Sequence, residues 1–249
     1  NDIKRLKKTE DGEYSDFAIL YRTNSQSRSF EEELRRQSIP YRIYGGLSFY
    51  QRKEIKDIIA YFRLAMNTDD EEAFKRIVNY PARGIGDTTL GKITMAAQNN
   101  GVSCWDILSQ PTRFQLDVNK GTWTKLLNFR DLVNGFVAQL DKLDAYELGM
   151  KIIKESGIQA DLYGASDAVS LSRQENLQEF VGGLKEFVEI RREEGNEDEV
   201  FLSNYLQEVS LLSDLDSEGD DESRVVLMTV HSAKGLEFPT VFVVGLEEN

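Results

Sequence analysis

VVLMTVHSAKGLEF (225–238), continued by PTVFVVG (239–245), decides how this 249-residue chain is read. It opens as an apolar, β-branched run, turns polar from Thr229 to Lys234 and becomes apolar again from Val241 to Val244. Two short apolar runs separated by polar residues and glycine predict two buried strands. The polar stretch contains His231, the only histidine in the chain. A strand that ends in small, hydroxylated and cationic residues places polar groups at its carboxyl end. Open α/β sheets bind ligands at that edge. By its chemistry alone, His231 reads either as a donor to a ligand or as a strand-end hydrogen bond within a core.

Toward the N-terminus, DFAILY (16–21) has the same apolar character and predicts another strand. Asn24 or Ser25 is placed to cap the following helix, whose Phe30 and Leu34 share one face. Pro40 ends it, and YRIY (41–44) predicts a strand that stops at Gly45-Gly46. The set is βαβ-like, a unit that builds parallel sheets. From about Phe49 the apolar period becomes helical, first through Ile55, Ile58, Ile59, Phe62 and Met66, then through Phe74, Ile77 and Val78. Helices are expected at 88–98, 122–140, 145–155, 172–191 and 199–213. Phe180, Phe187, Trp105 and Trp123 fit apolar helix faces and are expected in a core rather than stacked on bases. Arg52–Asp57 alternates in charge and reads as a solvated face with i,i+4 pairs, and Arg28 is expected to pair with Glu31 or Glu32. The predicted fold is mainly α with a small α/β part, its strands drawn from both ends of the chain around an inserted helical domain.

Hydrophobic residues make up 40% of the chain and charged residues 29%, the balance of an ordinary soluble globular protein. No apolar run approaches the roughly 20 residues that span a bilayer, and no signal-peptide pattern opens the chain. A cytoplasmic protein is expected. Cys104 is the only cysteine, which excludes an internal disulfide and, with one histidine, argues against a zinc site. The net charge of −13 argues against nucleic acid as a partner, but it is unevenly spread. Residues 1–100 carry 17 Lys and Arg against 15 Asp and Glu, whereas residues 101–249 carry 13 against 28. The acidic DSEGDDES run (216–223) reads as a solvated loop.

HSAKGLEF (231–238) closely resembles motif V of superfamily 1 DNA helicases of the UvrD/PcrA/Rep family. Three further blocks agree in order and spacing: AILYRTNSQSR (18–28), PYRIYGGLSFYQRKEIKD (40–57) and NYPARGIGDTT (79–89). The resemblance covers the whole chain. It implies part of an ATP-driven 3′→5′ DNA helicase or translocase, with residues 1–46 and 221–249 forming part of a RecA-like subdomain 2A and residues 47–220 an inserted helical subdomain 2B. It assigns Thr229 and His231 to the single-strand backbone. Lys234, Gly235 and Glu237 go to the ATP side, with Glu237 near the ribose and Lys234-Gly235 linking the two sites. Arg22 and Asn24 are implied as single-strand contacts, although on chemistry alone they read equally as a surface ion pair and a helix cap. Arg83, Gly84, Ile85 and Gly86 are implied as a helix-hairpin-helix element that touches duplex DNA, with Lys92 adding charge. On chemistry alone that element reads as a plain turn between helices. An acidic 2B also suits docking of a protein partner. The alternatives are a non-catalytic DNA- or protein-binding module and the motor part of a RecB/AddA-like helicase-nuclease.

No GxxxxGK[ST] sequence occurs in the chain, so the phosphate cradle and the magnesium seat of such a motor are not encoded in it. ATP and Mg2+ are therefore expected as cofactors of a longer parent enzyme and not as ligands of this fragment. The chain by itself is expected to show no magnesium-dependent ATP hydrolysis. A phosphate-release assay on a clean preparation checks this, and turnover that tracks the purified chain would overturn it.

Overall fold

In the computed structural model, which describes residues 2–9, 11–214 and 223–245, strands form at the four apolar runs. They are β1 (Phe17–Tyr21), β2 (Tyr41–Ile43), β3 (Val225–Thr229) and β4 (Thr240–Val243). The sheet is wholly parallel, in the order β2-β3-β1-β4. The βαβ unit of the N-terminal region is therefore split: β3, from the far end of the sequence, pairs with both β1 and β2. The register sets Tyr21 opposite Thr229 and Ile43 opposite Leu227.

Two compact units divide the chain. The first comprises Asn1–Ile55, Glu175–Glu179 and Val209–Asn249, and the second Lys56–Gln174 and Phe180–Glu208. Side chains alternate across a strand, so the first unit builds a different cluster on each face of its sheet. One face buries Phe17, Ile19, Tyr21, Val225 and Leu227 beneath the helices α1 (Asp2–Thr9) and α2 (Ser27–Arg36), which contribute Ile3 and Leu34. The other buries Ala18, Val226 and Met228, with Ala233 and Phe238 of the motif V loop packed on them. The polar sequence DIKRLKKT gave no signal for α1, which forms by laying Ile3 and Leu6 on the first cluster. Of the DSEGDDES run only Ser223 lies within the described residues, where its hydroxyl accepts the Ser15 N–H at 2.9 Å.

The remaining helices are α3 (Lys53–Met66), α4 (Glu71–Ile77), α5 (Asp87–Asn100), α6 (Cys104–Ser109), α7 (Pro111–Phe114), α8 (Lys120–Val137), α9 (Ala145–Glu155), α10 (Ile158–Leu162), α11 (Ala168–Glu193) and α12 (Leu202–Asp214). Asp70, Ser103, Asn119, Asp144 and Asp167 start α4, α6, α8, α9 and α11, each accepting an otherwise orphaned backbone N–H of the first turn. The second unit's core holds Phe62 against Phe180, and Trp105 and Phe74 edge-on to Phe129. Phe180, Phe187 and Trp105 are buried as expected, while Trp123 is only half-buried. Among the described residues no helix is long and apolar enough to cross a membrane.

Two local expectations are corrected. The helix after β1 is capped by neither Asn24 nor Ser25: Asn24–Gln26 forms a 3-10 turn in which Oε1 of Gln26 accepts the Thr23 N–H at 3.1 Å, and Gln26 stands at the N-cap of α2 without a side-chain cap bond. The Arg52–Asp57 run is not a solvated face. Arg52, Glu54 and Asp57 are all buried, and Asp57 accepts Nε of Arg76 at 2.8 Å. Three of the five charges in the run are thus buried, where alternation alone suggested water, while Lys53 and Lys56 are exposed.

Leu227 is fully buried on the central strand, and its truncation removes apolar contacts on a strand that two neighbours share. Leu227→Ala is expected to cost about 3 kcal/mol of stability. Val243→Ala, at an exposed edge position, is expected to cost under about 0.5 kcal/mol. Denaturant titration followed by circular dichroism checks the pair, and equal shifts would refute this account of the core.

Candidate nucleic-acid interface

Because all four strands run parallel, their carboxyl ends open onto one edge of the sheet. The chain leaving β1 carries Arg22 and Asn24, and the chain leaving β3 carries His231. The two exits are joined by the Val230 N–H donating to the Tyr21 carbonyl at 2.9 Å. The end of β2 meets them as well. A Cβ built on Gly45, whose φ is +76°, would stand 3.2 Å from the Ser232 hydroxyl oxygen, so this crossing needs glycine both for its backbone angle and for its lack of a side chain. The four residues read as single-strand contacts, Arg22, Asn24, Thr229 and His231, therefore lie on one edge of one unit.

Their side chains are not equally available. Arg22, Asn24 and His231 are exposed, and among the described residues neither the Arg22 guanidinium nor the His231 ring has a hydrogen-bond or ion-pair partner. The Thr229 hydroxyl is engaged locally. Its oxygen accepts the Ser232 N–H at 3.1 Å and shares a 2.8 Å hydrogen bond with the Ser232 hydroxyl. Thr229 thus closes the turn that presents His231. Lys234, Gly235 and Glu237 follow on the same loop, all exposed, in an arch tied down at either end by Ala233 and Phe238 packed against the sheet.

In the second unit the NYPARGIG segment is folded by side chains that the sequence left ambiguous. Oδ1 of Asn79 accepts the N–H groups of both Arg83 and Ile85, at 2.9 and 3.0 Å. Ile85 is buried and anchors the hairpin, while Gly84 (φ +71°) and Gly86 are exposed. Gly86 is the N-cap of α5 and supplies no side-chain acceptor, so the Asp87 and Thr88 N–H groups of this 14-residue helix have no side-chain cap, while the Thr89 N–H donates to the Gly86 carbonyl at 3.0 Å. That is the local chemistry of an anion site.

Arg83 does not face outward. Its guanidinium donates to the carbonyls of Ile77, Pro81 and Ser156 at 3.2, 3.1 and 2.9 Å, and to the Tyr61 hydroxyl at 2.6 Å. It also lies over the Tyr61 and Phe129 rings. Lys92 is likewise engaged, donating to the Asp117 carbonyl at 2.7 Å and pairing with its carboxylate. The cation beside the hairpin is Lys125 of α8. It is exposed, and its Nζ donates to the Gly84 carbonyl at 3.3 Å. Sequence reasoning missed Lys125 because it lies outside the motif, and nothing in its own neighbourhood marks it.

A mostly helical chain with a small parallel sheet of four strands is consistent with a helicase C-terminal domain. The whole chain, residues 1–249, matches the UvrD-like helicase C-terminal domain, and the protein belongs to that family. It is 39% identical over 248 residues to "ATP-dependent DNA helicase PcrA" of Leuconostoc citreum, a match covering 100% of this chain and 33% of that protein. Proteins of the same name from Staphylococcus aureus (strain Mu50) and Staphylococcus epidermidis (strain RP62A) are each 39% identical over 236 residues, covering 95% of this chain and 31% of theirs. The chain spans about a third of the length of these relatives.

The inward Arg83 gives a direct expectation. Arg83→Ala should lower the stability of the second unit by about 2 kcal/mol, because several carbonyls lose their donor at once. Thermal melting checks this. A variant that melts like the parent but loses duplex affinity would return the guanidinium to the DNA side.

Proposed function

We propose that this chain is the DNA-handling part of an ATP-dependent 3′→5′ DNA helicase or translocase. In this reading the first unit is the RecA-like subdomain 2A and the second the inserted subdomain 2B. The observation that carries it is the convergence of Arg22, Asn24 and His231 on the carboxyl edge of the parallel sheet. A guanidinium, an amide and an imidazole can all donate to phosphate or sugar oxygens, which position a strand without reading its sequence. The names of the relatives, at 39% identity along the whole chain, point the same way.

Lys234, Gly235 and Glu237 form the nucleotide side of the same loop. The exposed Glu237 carboxylate suits ribose hydroxyls, as acidic residues do in dinucleotide folds, and Lys234 supplies a mobile positive charge. ATP with Mg2+ belongs to the parent enzyme, in which this loop would meet one edge of the nucleotide. DNA contact and nucleotide contact then lie a few residues apart on one arch, a short path for coupling. Duplex contact falls to the Gly84 and Gly86 N–H groups and those of Asp87 and Thr88 at the start of α5, with Lys125 in place of Arg83 as the charged side chain. The excess of acid over residues 101–249 favours a basic protein surface as a second partner for 2B.

Fluorescence anisotropy on a single-strand oligonucleotide and on a duplex, across a salt series, tests both contacts. Arg22→Ala should weaken single-strand binding and make the salt slope shallower by about 0.7, the value for one phosphate contact. Lys125→Ala should do the same for duplex, by about 0.9. Unchanged single-strand binding by Arg22→Ala would refute the sheet-edge site, and unchanged duplex binding by Lys125→Ala would refute the hairpin assignment.

A further inference from the structure

Arg52, just ahead of α3, is a buried cation of the first unit, with 8% of its surface exposed. Its Nη2 donates to the Asn24 carbonyl and to the Ser27 hydroxyl, both at 2.7 Å. Its Nη1 donates to Oδ1 of Asn176 at 2.7 Å. Asn176, itself buried, donates from Nδ2 to Glu54 at 2.6 Å, and the Phe49 ring lies 5.0 Å below the guanidinium. Three segments far apart in sequence meet on one side chain: the turn after β1, the start of α3 and the Glu175–Glu179 stretch of α11. Arg28 of α2 adds a further tie to the α11 stretch, holding Glu32 of its own helix and Glu179 at 2.7 Å each. The expected Arg28 pairing is thus made with Glu32, while Glu31 is used elsewhere, accepting the Phe49 N–H at 3.0 Å.

The acceptor at Asn24 is the informative one. Its carbonyl belongs to the first residue of the 3-10 turn and already takes the Ser27 N–H. The outward-facing side chains of the turn are those of Arg22 and Asn24. With three donors committed and its surface buried, Arg52 is not placed to reach DNA, yet it grips the backbone that presents both of them. We propose that Arg52 is a positioning residue for the single-strand contact: anchored by Asn176, it fixes the Asn24 carbonyl and thereby the direction in which Arg22 and Asn24 face the strand. The planar fork is what meets three acceptors at once. A lysine keeps the charge and has three donors, but they fan out from one nitrogen rather than across a planar fork, so it cannot reach all three acceptors at good angles and leaves at least one buried without a donor.

This inference rests on the sheet-edge reading above, and the test separates the two. Single-strand and duplex affinities are measured over a salt series for Arg52→Lys, Asn176→Ala, Arg22→Ala and Asn24→Ala, and for the double variant Arg52→Lys/Asn24→Ala. The expected result for Arg52→Lys is about a tenfold loss of single-strand affinity, the size of one charge-assisted hydrogen bond. Its salt slope should be unchanged, because no phosphate contact is removed, whereas Arg22→Ala makes the slope shallower. Duplex affinity should stay at the parent value. The double variant should lose less than the two single losses combined, since both act through one turn. Asn176→Ala leaves the guanidinium in place without its anchor and should show a smaller loss of the same kind, which keeps the test open if Arg52→Lys folds poorly. If Arg22→Ala weakens binding while Arg52→Lys and Asn176→Ala bind single strand like the parent, the positioning role is overturned and the site stands. A salt slope that becomes shallower in Arg52→Lys would also overturn it, by making Arg52 a direct contact. If Arg22→Ala itself has no effect, the site falls and the positioning role falls with it.

Discussion

The first unit depends on one pairing constraint, that β3 must lie between β1 and β2. Tyr21 and Thr229 sit opposite each other across 208 residues of sequence. The ends of the chain therefore have to meet before the sheet can exist. Closing so long a loop costs only slightly more than closing a shorter one, because the entropy grows with the logarithm of length. The larger consequence is kinetic, since the pairing is non-local and gains nothing until both ends arrive. The chemistry follows from the same constraint. Parallel strands share one carboxyl edge, and interleaving brings together loops that the sequence keeps far apart. Neither the N-terminal nor the C-terminal segment could build that edge alone.

The elements were legible where burial sets a simple period. The four strands appear at the predicted runs because they are short, apolar and rich in Val, Ile and aromatic residues, and the sheet buries both faces of β3. The helix over Ala145–Glu155 was readable for the matching reason, an apolar stripe closed by caps. The order of the strands was not readable. β1, α2 and β2 form an acceptable βαβ unit on their own, and nothing local says that a third strand will come between them. α1 was missed because two apolar side chains in eight residues carry almost no period, and only the completed sheet gives them something to bury against.

The shared placement of the candidate residues was legible in the sequence, but which of their side chains stay available was not. Motif and spacing bring Arg22, Asn24, Thr229 and His231 to one edge, yet only geometry shows that the Thr229 oxygen is occupied by Ser232 while His231 is free. The Arg52–Asp57 run shows the same limit more sharply. Its alternating charges look like a wet helix face, because sequence distance conceals the partners: Asn176 lies 124 positions away and Ser27 lies 25 away. A buried charge is tolerated only with partners of this quality. Local pattern cannot supply them, so the reading defaults to solvent.

In the proposed reading, a protein with a net charge of −13 meets a polyanion through the cations it does not spend inside its own fold. Arg28, Arg52 and Arg83 all turn inward, each holding several acceptors. Their planar forks suit carbonyl and carboxylate oxygens at fixed angles, which is what a tertiary anchor requires. Arg22, Lys234 and Lys125 remain exposed, Arg22 next to the turn whose Asn24 carbonyl Arg52 holds and Lys125 beside the hairpin that carries Arg83. Phosphate contact needs few charges if they are held in place, because a flexible cation loses entropy on binding that a positioned one has already lost. The inward arginines therefore do not subtract from a DNA interface. By fixing the backbone of the sheet-edge turn and of the hairpin, they let a small number of outward cations work against an unfavourable overall charge.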